Sequence, residues 1–270
     1  MTLAAWPGAE HNVPALLAQL DRYPYGCAEQ TISRALPLLY VNDLSVDRGL
    51  KVDGELRGRI QTAIDRVFQM QDSAGAFGTW GPQSADIWLS AYVTDFLTRA
   101  KEAGYTVDPR GFSQALARLQ NYVAYVSDFK RGGEKRAYAL YVLARNGKAP
   151  IGELRYYADT RLKRFATPLA KAQIGAALAM TGDKERAERV MQAAFDDLGD
   201  VSGQRLRDDY GSGLRDGAAV MTLAAEASVL SGEVDDLASR IGAAYTARGR
   251  TSTQEQAWLL LAARALSAKE

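Results

Sequence analysis

The 270-residue chain carries 33 Lys+Arg against 32 Asp+Glu, one histidine, one cysteine and 47% apolar residues. A chain of this size buries about 70–75% of its unfolded surface, so one or two cored domains are expected, and the composition is not that of a disordered segment. The net charge of +1 leaves no surplus of cations to neutralise phosphates, which argues against a nucleic-acid partner. One cysteine excludes an intrachain disulfide framework and a thiolate zinc site, and one histidine removes the remaining zinc sites and most acid–base triads, so neither metal nor cofactor is expected. The opening Met1-Thr2-Leu3-Ala4-Ala5-Trp6-Pro7 has no cationic start and no long apolar run, so it does not read as a secretory signal. No stretch reaches the roughly 18 apolar residues that a bilayer span requires.

In chain order, Gly26 permits a tight turn and the residues after it have helical spacing, which sets Cys27 at or near a helix N-terminus. Residues 55–69 form an amphipathic helix, with Leu56, Ile60, Ile64 and Phe68 at four-residue steps and Arg57, Arg59, Asp65 and Arg66 on the other face. Residues 85–100 are apolar nearly all round. Amphipathic character returns at 113–126, through Leu116, Leu119, Val123 and Val126. Residues 134–145 and 168–180 are again apolar on every side. The segment 184–198 presents one stripe of Ala187, Val190, Met191, Ala194 and Leu198, and 216–230 and 254–267 close the series with helices of the all-apolar kind. Gly104, Asn146-Gly147, Thr181-Gly182-Asp183 and Ser231-Gly232 supply the stops and tight links.

A helix without a polar face must be covered on all sides, so the second kind sits inside and the amphipathic kind wraps around it. The two alternate about six times, in units of roughly 35–55 residues, and such units must stack or close on one another. The apolar run 258–266 leaves no polar cap at the C-terminal end, which favours closure. The expected fold is therefore all-α, an α/α toroid of about six inner/outer helix pairs, with an open solenoid as the alternative. No linker or composition shift divides residues 1–270, so a single domain is expected.

The informative segment is Tyr23-Pro24-Tyr25-Gly26-Cys27-Ala28-Glu29-Gln30-Thr31-Ile32-Ser33-Arg34. Residues three apart on a helix are neighbours, which brings the Cys27 thiol beside the Gln30 carboxamide. A helix N-terminus favours a thiolate and stabilises sulfur as a leaving group. That arrangement suits an internal thioester: the thiol attacks the Gln30 side-chain carbonyl, ammonia leaves, and an activated acyl group is stored. A lone cysteine without this context reads as a small buried hydrophobe.

The string resembles the thioester motif of the alpha-2-macroglobulin and complement family, whose common eukaryotic form is Gly-Cys-Gly-Glu-Gln; Ala28 is a departure of the kind bacterial members tolerate. Gly75-Ala76-Phe77-Gly78 with Trp88-Leu89-Ser90-Ala91-Tyr92-Val93 is similar to the family's segment downstream of the thioester. Thr251-Ser252-Thr253-Gln254-Glu255-Gln256-Ala257-Trp258 is similar to the start of the last inner helix in bacterial members. The resemblance implies an α/α toroid thioester domain in which Cys27 and Gln30 form the bond. Gly26 would allow the turn, Ala28 and Glu29 would lie between the partners, and Glu29 would have no specified role. Tyr23 and Tyr25 are candidates for covering the bond, with plain packing as the alternative.

By the same resemblance, the full protein would be a periplasmic, often membrane-anchored, broad-spectrum protease inhibitor, and this chain an excised domain of a much larger precursor. Its partners would be attacking proteases, captured covalently through a lysine, and other domains of the same precursor. Any membrane contact would lie in an anchor outside this chain. Such single-use acyl transfer is not enzymatic turnover. Family members that prefer hydroxyl targets use a histidine far downstream of the motif, whereas the only histidine here is His11, upstream of it. Direct attack by an amine is therefore expected.

Two further readings stand beside this one. A toroid enzyme acting on an isoprenoid or a polysaccharide is the first, since terpenoid cyclases and protein prenyltransferases share the ring. Asp208-Asp209-Tyr210-Gly211 is its nearest acidic string, and a solvated loop is the simpler reading of those residues. The second is a non-reactive recognition or scaffold module. Lys130-Arg131 with Lys135-Arg136 reads as a solvated face or a rim contact.

Overall fold

The computed structural model describes residues 26–40, 54–83, 85–203, 207–229, 232–248 and 250–267. Among them the chain forms eleven α-helices: α1 (Ala28–Leu38), α2 (Gly54–Phe68), α3 (Ile87–Glu102), α4 (Pro109–Tyr125), α5 (Glu134–Arg145), α6 (Ile151–Tyr156), α7 (Pro168–Met180), α8 (Lys184–Asp196), α9 (Gly213–Glu226), α10 (Val234–Thr246) and α11 (Thr253–Ser267). The described residues hold no strand, and only the isolated bridges Gln71–Phe77 and Gly132–Phe165 pair extended backbone. No described helix is long and apolar enough to cross a membrane.

Local chemistry sets where the inner helices begin. Asp86 caps α3, its carboxylate accepting the Leu89 N–H at 3.0 Å. The Thr167 hydroxyl accepts the Ala170 N–H at 3.2 Å ahead of Pro168, and the Ser212 hydroxyl accepts the Arg215 N–H at 3.1 Å. Each such cap satisfies a backbone donor that the helix itself cannot, for about 1 kcal/mol.

The order of packing makes the ring. α1 packs on α3, α3 on α5, α5 on α7, α7 on α9, α9 on α11, and α11 returns to α1. The chain is thus an α/α toroid closed between its first and last described helices. The outer layer places α2 against α1, α4 between α3 and α5, α6 and α8 against α7, and α10 against α9. Inner helices are covered on all sides, as α3 is from Trp88 to Ala100 and α9 from Leu214 to Ala224. Outer helices bury one stripe: α8 buries Ala187, Val190, Met191 and Ala194. Burying the Val190 and Met191 side chains contributes roughly 1.5–3 kcal/mol each, and contacts of this kind hold a helix too short to persist alone.

Several segments depart from the sequence reading. Val126 lies just beyond α4 and is 49% exposed, because the chain turns to extended backbone there and leaves the stripe. The sequence reading did not single out α6, which is short and runs on through a π turn at Tyr157–Arg161, nor α10. Arg136 is not a solvated cation. It is buried, and its guanidinium donates to the carbonyls of Val123 at 3.0 Å and Val126 at 2.6 Å, satisfying the C-terminal end of α4. Lys135 is the rim contact, paired with Asp86 at 2.6 Å.

The six inner helices run parallel. Their C-terminal ends gather round one concave opening lined by Tyr40, Arg99, Arg145, Met180, Glu226 and Arg264. Their N-terminal ends form the opposite rim, where the motif lies.

Candidate reactive centre

Cys27 is the N-cap of α1, in extended backbone, with Ala28, Glu29 and Gln30 as the first turn. The Cys27 backbone N–H donates to Gln30 Oε1 at 3.3 Å, and the sulfur in turn faces the Gln30 backbone N–H. This reciprocal capping box folds the carboxamide back over the cysteine and brings the two predicted partners together on one side of the turn. The same N–H polarises the carbonyl that the thiol would attack, and it stands where the tetrahedral oxygen would develop charge. A condensation there would balance simply: Sγ would bond to Gln30 Cδ, the C–N bond would break, and the thiol proton would leave with the amide nitrogen as ammonia.

Gly26 directly precedes the N-cap of α1. Its backbone does not require the left-handed region; what it supplies is space, since a Cβ there would stand 2.9 Å from Gln30 Cβ and 3.3 Å from Gln30 Oε1. Its carbonyl accepts from Arg66 Nη2 at 3.1 Å, which ties the turn to α2. Ala28 is fully buried, and its N–H donates to the Thr79 carbonyl at 2.8 Å.

That carbonyl is delivered by the loop carrying the Gly75-Ala76-Phe77-Gly78 run. Asp72 Oδ1 accepts the Ala74 and Ala76 N–H groups at 2.8 and 2.9 Å, and Gly75 takes φ +85° against the backbone of α4. The Phe77 N–H then donates to Ser90 Oγ of α3 at 3.0 Å. The run noted in the sequence therefore holds the first turn of α1 from outside, a role that spacing alone did not reveal.

Glu29 turns the other way, into the ring. It is 4% exposed and accepts from Ser33 Oγ at 2.6 Å, Thr253 Oγ1 at 2.9 Å and Gln254 Nε2 at 3.0 Å. Ser33 also meets the Tyr92 hydroxyl at 2.9 Å. The late run 251–258, noted only as a landmark, here provides the donors for a motif residue.

Burial pushes the Cys27 thiol above its ordinary value, the Gln30 N–H draws it back, and the Glu29 carboxylate raises it again. The net direction is upward: the backbone N–H groups of the helix N-terminus favour the thiolate, and desolvation outweighs them. Beside the motif, Tyr210 has φ +54° and is 44% exposed, with its ring centroid 5.3 Å from that of Trp88. Asp209, from the acidic string 208–211, is taken up by the guanidinium groups of Arg207 and Arg215. An open cavity of about 620 Å³ lies between Glu29, Tyr210, Ser212 and residues 250–255. Tyr23, Tyr25 and His11 lie outside the described residues.

Residues 7–125 match the family model of the A-macroglobulin TED domain. The chain is 34% identical to the alpha-2-macroglobulin of Escherichia coli K12 over 94% of its own length, which is 16% of that protein. The chain belongs to the thioester-domain family of the bacterial alpha-2-macroglobulins. A crystal structure of Salmonella alpha-2-macroglobulin reacted with methylamine superposes with a TM-score of 0.83 at 34% identity, covering 94% of this chain and 17% of that one. Trypsin-activated alpha-2-macroglobulin from Escherichia coli superposes with a TM-score of 0.78 at 34% identity, over 91% and 17% of the two chains. This chain therefore spans about a sixth of the length of the relatives it matches.

Proposed function

We propose that this chain is the single thioester-bearing domain, residues 1–270, of a longer bacterial protease inhibitor in which Cys27 and Gln30 form an internal thioester. The observation that carries the reading is the reciprocal cap, with the Cys27 N–H on the Gln30 carbonyl oxygen and the sulfur on the Gln30 side of the turn. A solved relative reacted with methylamine and another activated by trypsin support amine attack on the bond and a protease as the trigger. In the proposed step a lysine amine of the protease attacks the Gln30 acyl carbon. An amide bond forms, the C–S bond breaks, and the amine proton passes to the Cys27 sulfur. The acyl group is spent once, so the chain acts as a trap and not as a turnover catalyst. A periplasmic location, where proteases from outside the cell would be met, belongs to the same proposal.

The test uses the full-length protein. Wild type is expected to be lighter by one ammonia, to release a titratable thiol on treatment with methylamine, and to become covalently joined to trypsin; Cys27→Ala is expected to do none of these. Equal capture of trypsin by both proteins would reject the reading. Because the only histidine precedes the motif, methylamine is expected to label far faster than glycerol.

A further inference from the structure

Glu29 sits between the two reacting residues in sequence yet faces away from them. On a helix, position 29 lies on another face from positions 27 and 30, so its side chain enters the ring while theirs stay at the rim. Its partners among the described residues are two hydroxyls and one side-chain amide, and a buried carboxylate held only by neutral donors is a costly group to keep in a core. Three inner helices converge on it: α1 through Ser33, α3 through Tyr92 acting on Ser33, and α11 through Thr253 and Gln254. Gln254 Nε2 also reaches Ser33 Oγ at 3.0 Å, so the group closes as a network. Thr253 lies 224 positions along the chain from Glu29. Contacts of such separation are made only when the ring shuts.

We propose that Glu29 is the positioning residue of the reactive turn, bracing Cys27 and Gln30 against the ring-closing helix α11 so that the acyl link forms only on a completed toroid. The inference rests on the thioester reading and gives the motif glutamate its role. From outside, the Thr79 carbonyl holds the Ala28 N–H; from inside, Glu29 is held by α11. The first turn between them has both its neighbours fixed, which keeps the carboxamide within reach of the sulfur. An incomplete chain lacks Thr253 and Gln254, and its thiol would meet an unbraced carboxamide. The same carboxylate places negative charge near the sulfur, which yields a second and independent readout.

The experiment compares wild type, Glu29→Gln and Thr253→Val in the full-length protein. Intact mass reports the fraction that has lost ammonia, and thermal melting reports folding. After complete opening with methylamine, the pH dependence of thiol alkylation reports the Cys27 environment. Both variants are expected to lower the thioester fraction by about fivefold, the scale of one ordinary hydrogen bond lost. Glu29→Gln is further expected to move the alkylation profile to lower pH, since it removes the negative charge, whereas Thr253→Val is not. Packing alone would leave that profile in place. Should Glu29→Gln fail to fold, the thioester fraction of Thr253→Val decides. Wild-type thioester fractions in the folded variants would overturn the inference while leaving the thioester reading intact. A wild-type protein that has lost no ammonia would overturn both.

Discussion

A methyl group on Gly26 would stand 2.9 Å from Gln30 Cβ and 3.3 Å from Gln30 Oε1, so an alanine there has to push the carboxamide off the Cys27 N–H. The backbone itself tolerates alanine, because Gly26 is not among the positive-φ glycines. Gly26→Ala is thus expected to cut the thioester fraction several-fold while changing unfolding stability by no more than about 1 kcal/mol. Intact mass and urea titration measure the two effects, and a full ammonia loss in the variant would show that the carboxamide does not need this space. At this scale the sequence was informative wherever the chemistry is local. Cys27 and Gln30 are three apart on a helix, and that spacing alone brings them together. Glu29 was opaque for the opposite reason, since the partners that explain it lie on α11. The raised thiol pKa was equally hidden: it depends on how much of the ring covers the sulfur, which no run of residues reports.

The helices themselves were legible where hydrophobic period and turn residues agree. α5 and α7 begin and end where the pattern places them, and α3 and α9 are displaced by two to four residues because Asp86 and Ser212 fix their true starts. α10 carried an equally readable stripe in Val234, Leu237, Ala238 and Ile241, all buried, but falls beside the Gly232 break that drew the reading to the loop. α6 had no such signal, since six residues followed by a π turn show no full period. Non-helical links were the least legible, and the loop after α2 is the one that matters. Gly75 is held at φ +85° with its α-carbon so close to α4 that a Cβ would fall 2.2 Å from the Gln114 carbonyl oxygen. Gly75→Ala must therefore shift that loop or α4. The expected cost is roughly 2–4 kcal/mol, from a strained backbone added to a clash with main chain. Its local consequence is sharper: the Thr79 carbonyl withdraws from the Ala28 N–H, and hydrogen exchange at Ala28 should accelerate relative to amides in α7. Unchanged protection at Ala28 would mean that the loop does not hold the reactive turn.

At the scale of the whole molecule, closure was legible from the uncapped apolar end at α11, but what fills the ring was not. Inner helices that read as apolar nearly all round carry Asp95 and Arg99 on α3 and Glu226 on α9, and these meet across the interior. Arg99 pairs with Asp95 at 3.0 Å and Glu226 at 2.8 Å, and donates to the hydroxyl oxygens of Tyr40 at 3.2 Å and Tyr141 at 2.8 Å. Arg145 and Arg264 add to Glu226 from α5 and α11, both at 3.4 Å. All of this stands where the C-terminal ends of the inner helices converge, and cations there are favoured by the partial negative charge of those ends. Burial pushes the Glu226 carboxyl up, but Arg99, Arg145 and Arg264 together draw it below its ordinary value. A carboxyl lowered in the folded state contributes stability that is complete above its unfolded value and is lost as pH falls through the folded one. Glu226→Gln should therefore destabilise the ring by about 3 kcal/mol near neutral pH, the scale of breaking a buried pair from one side. The gap between variant and wild type should narrow progressively below about pH 4, where the wild-type carboxyl also loses its charge. Urea titration across that range measures the gap, and one that stayed constant down to about pH 2 would show that Glu226 acts by shape and not by charge. The thioester fraction should stay at its wild-type value throughout, because this network braces the far end of the ring and the reactive turn is held by Thr79 and α11.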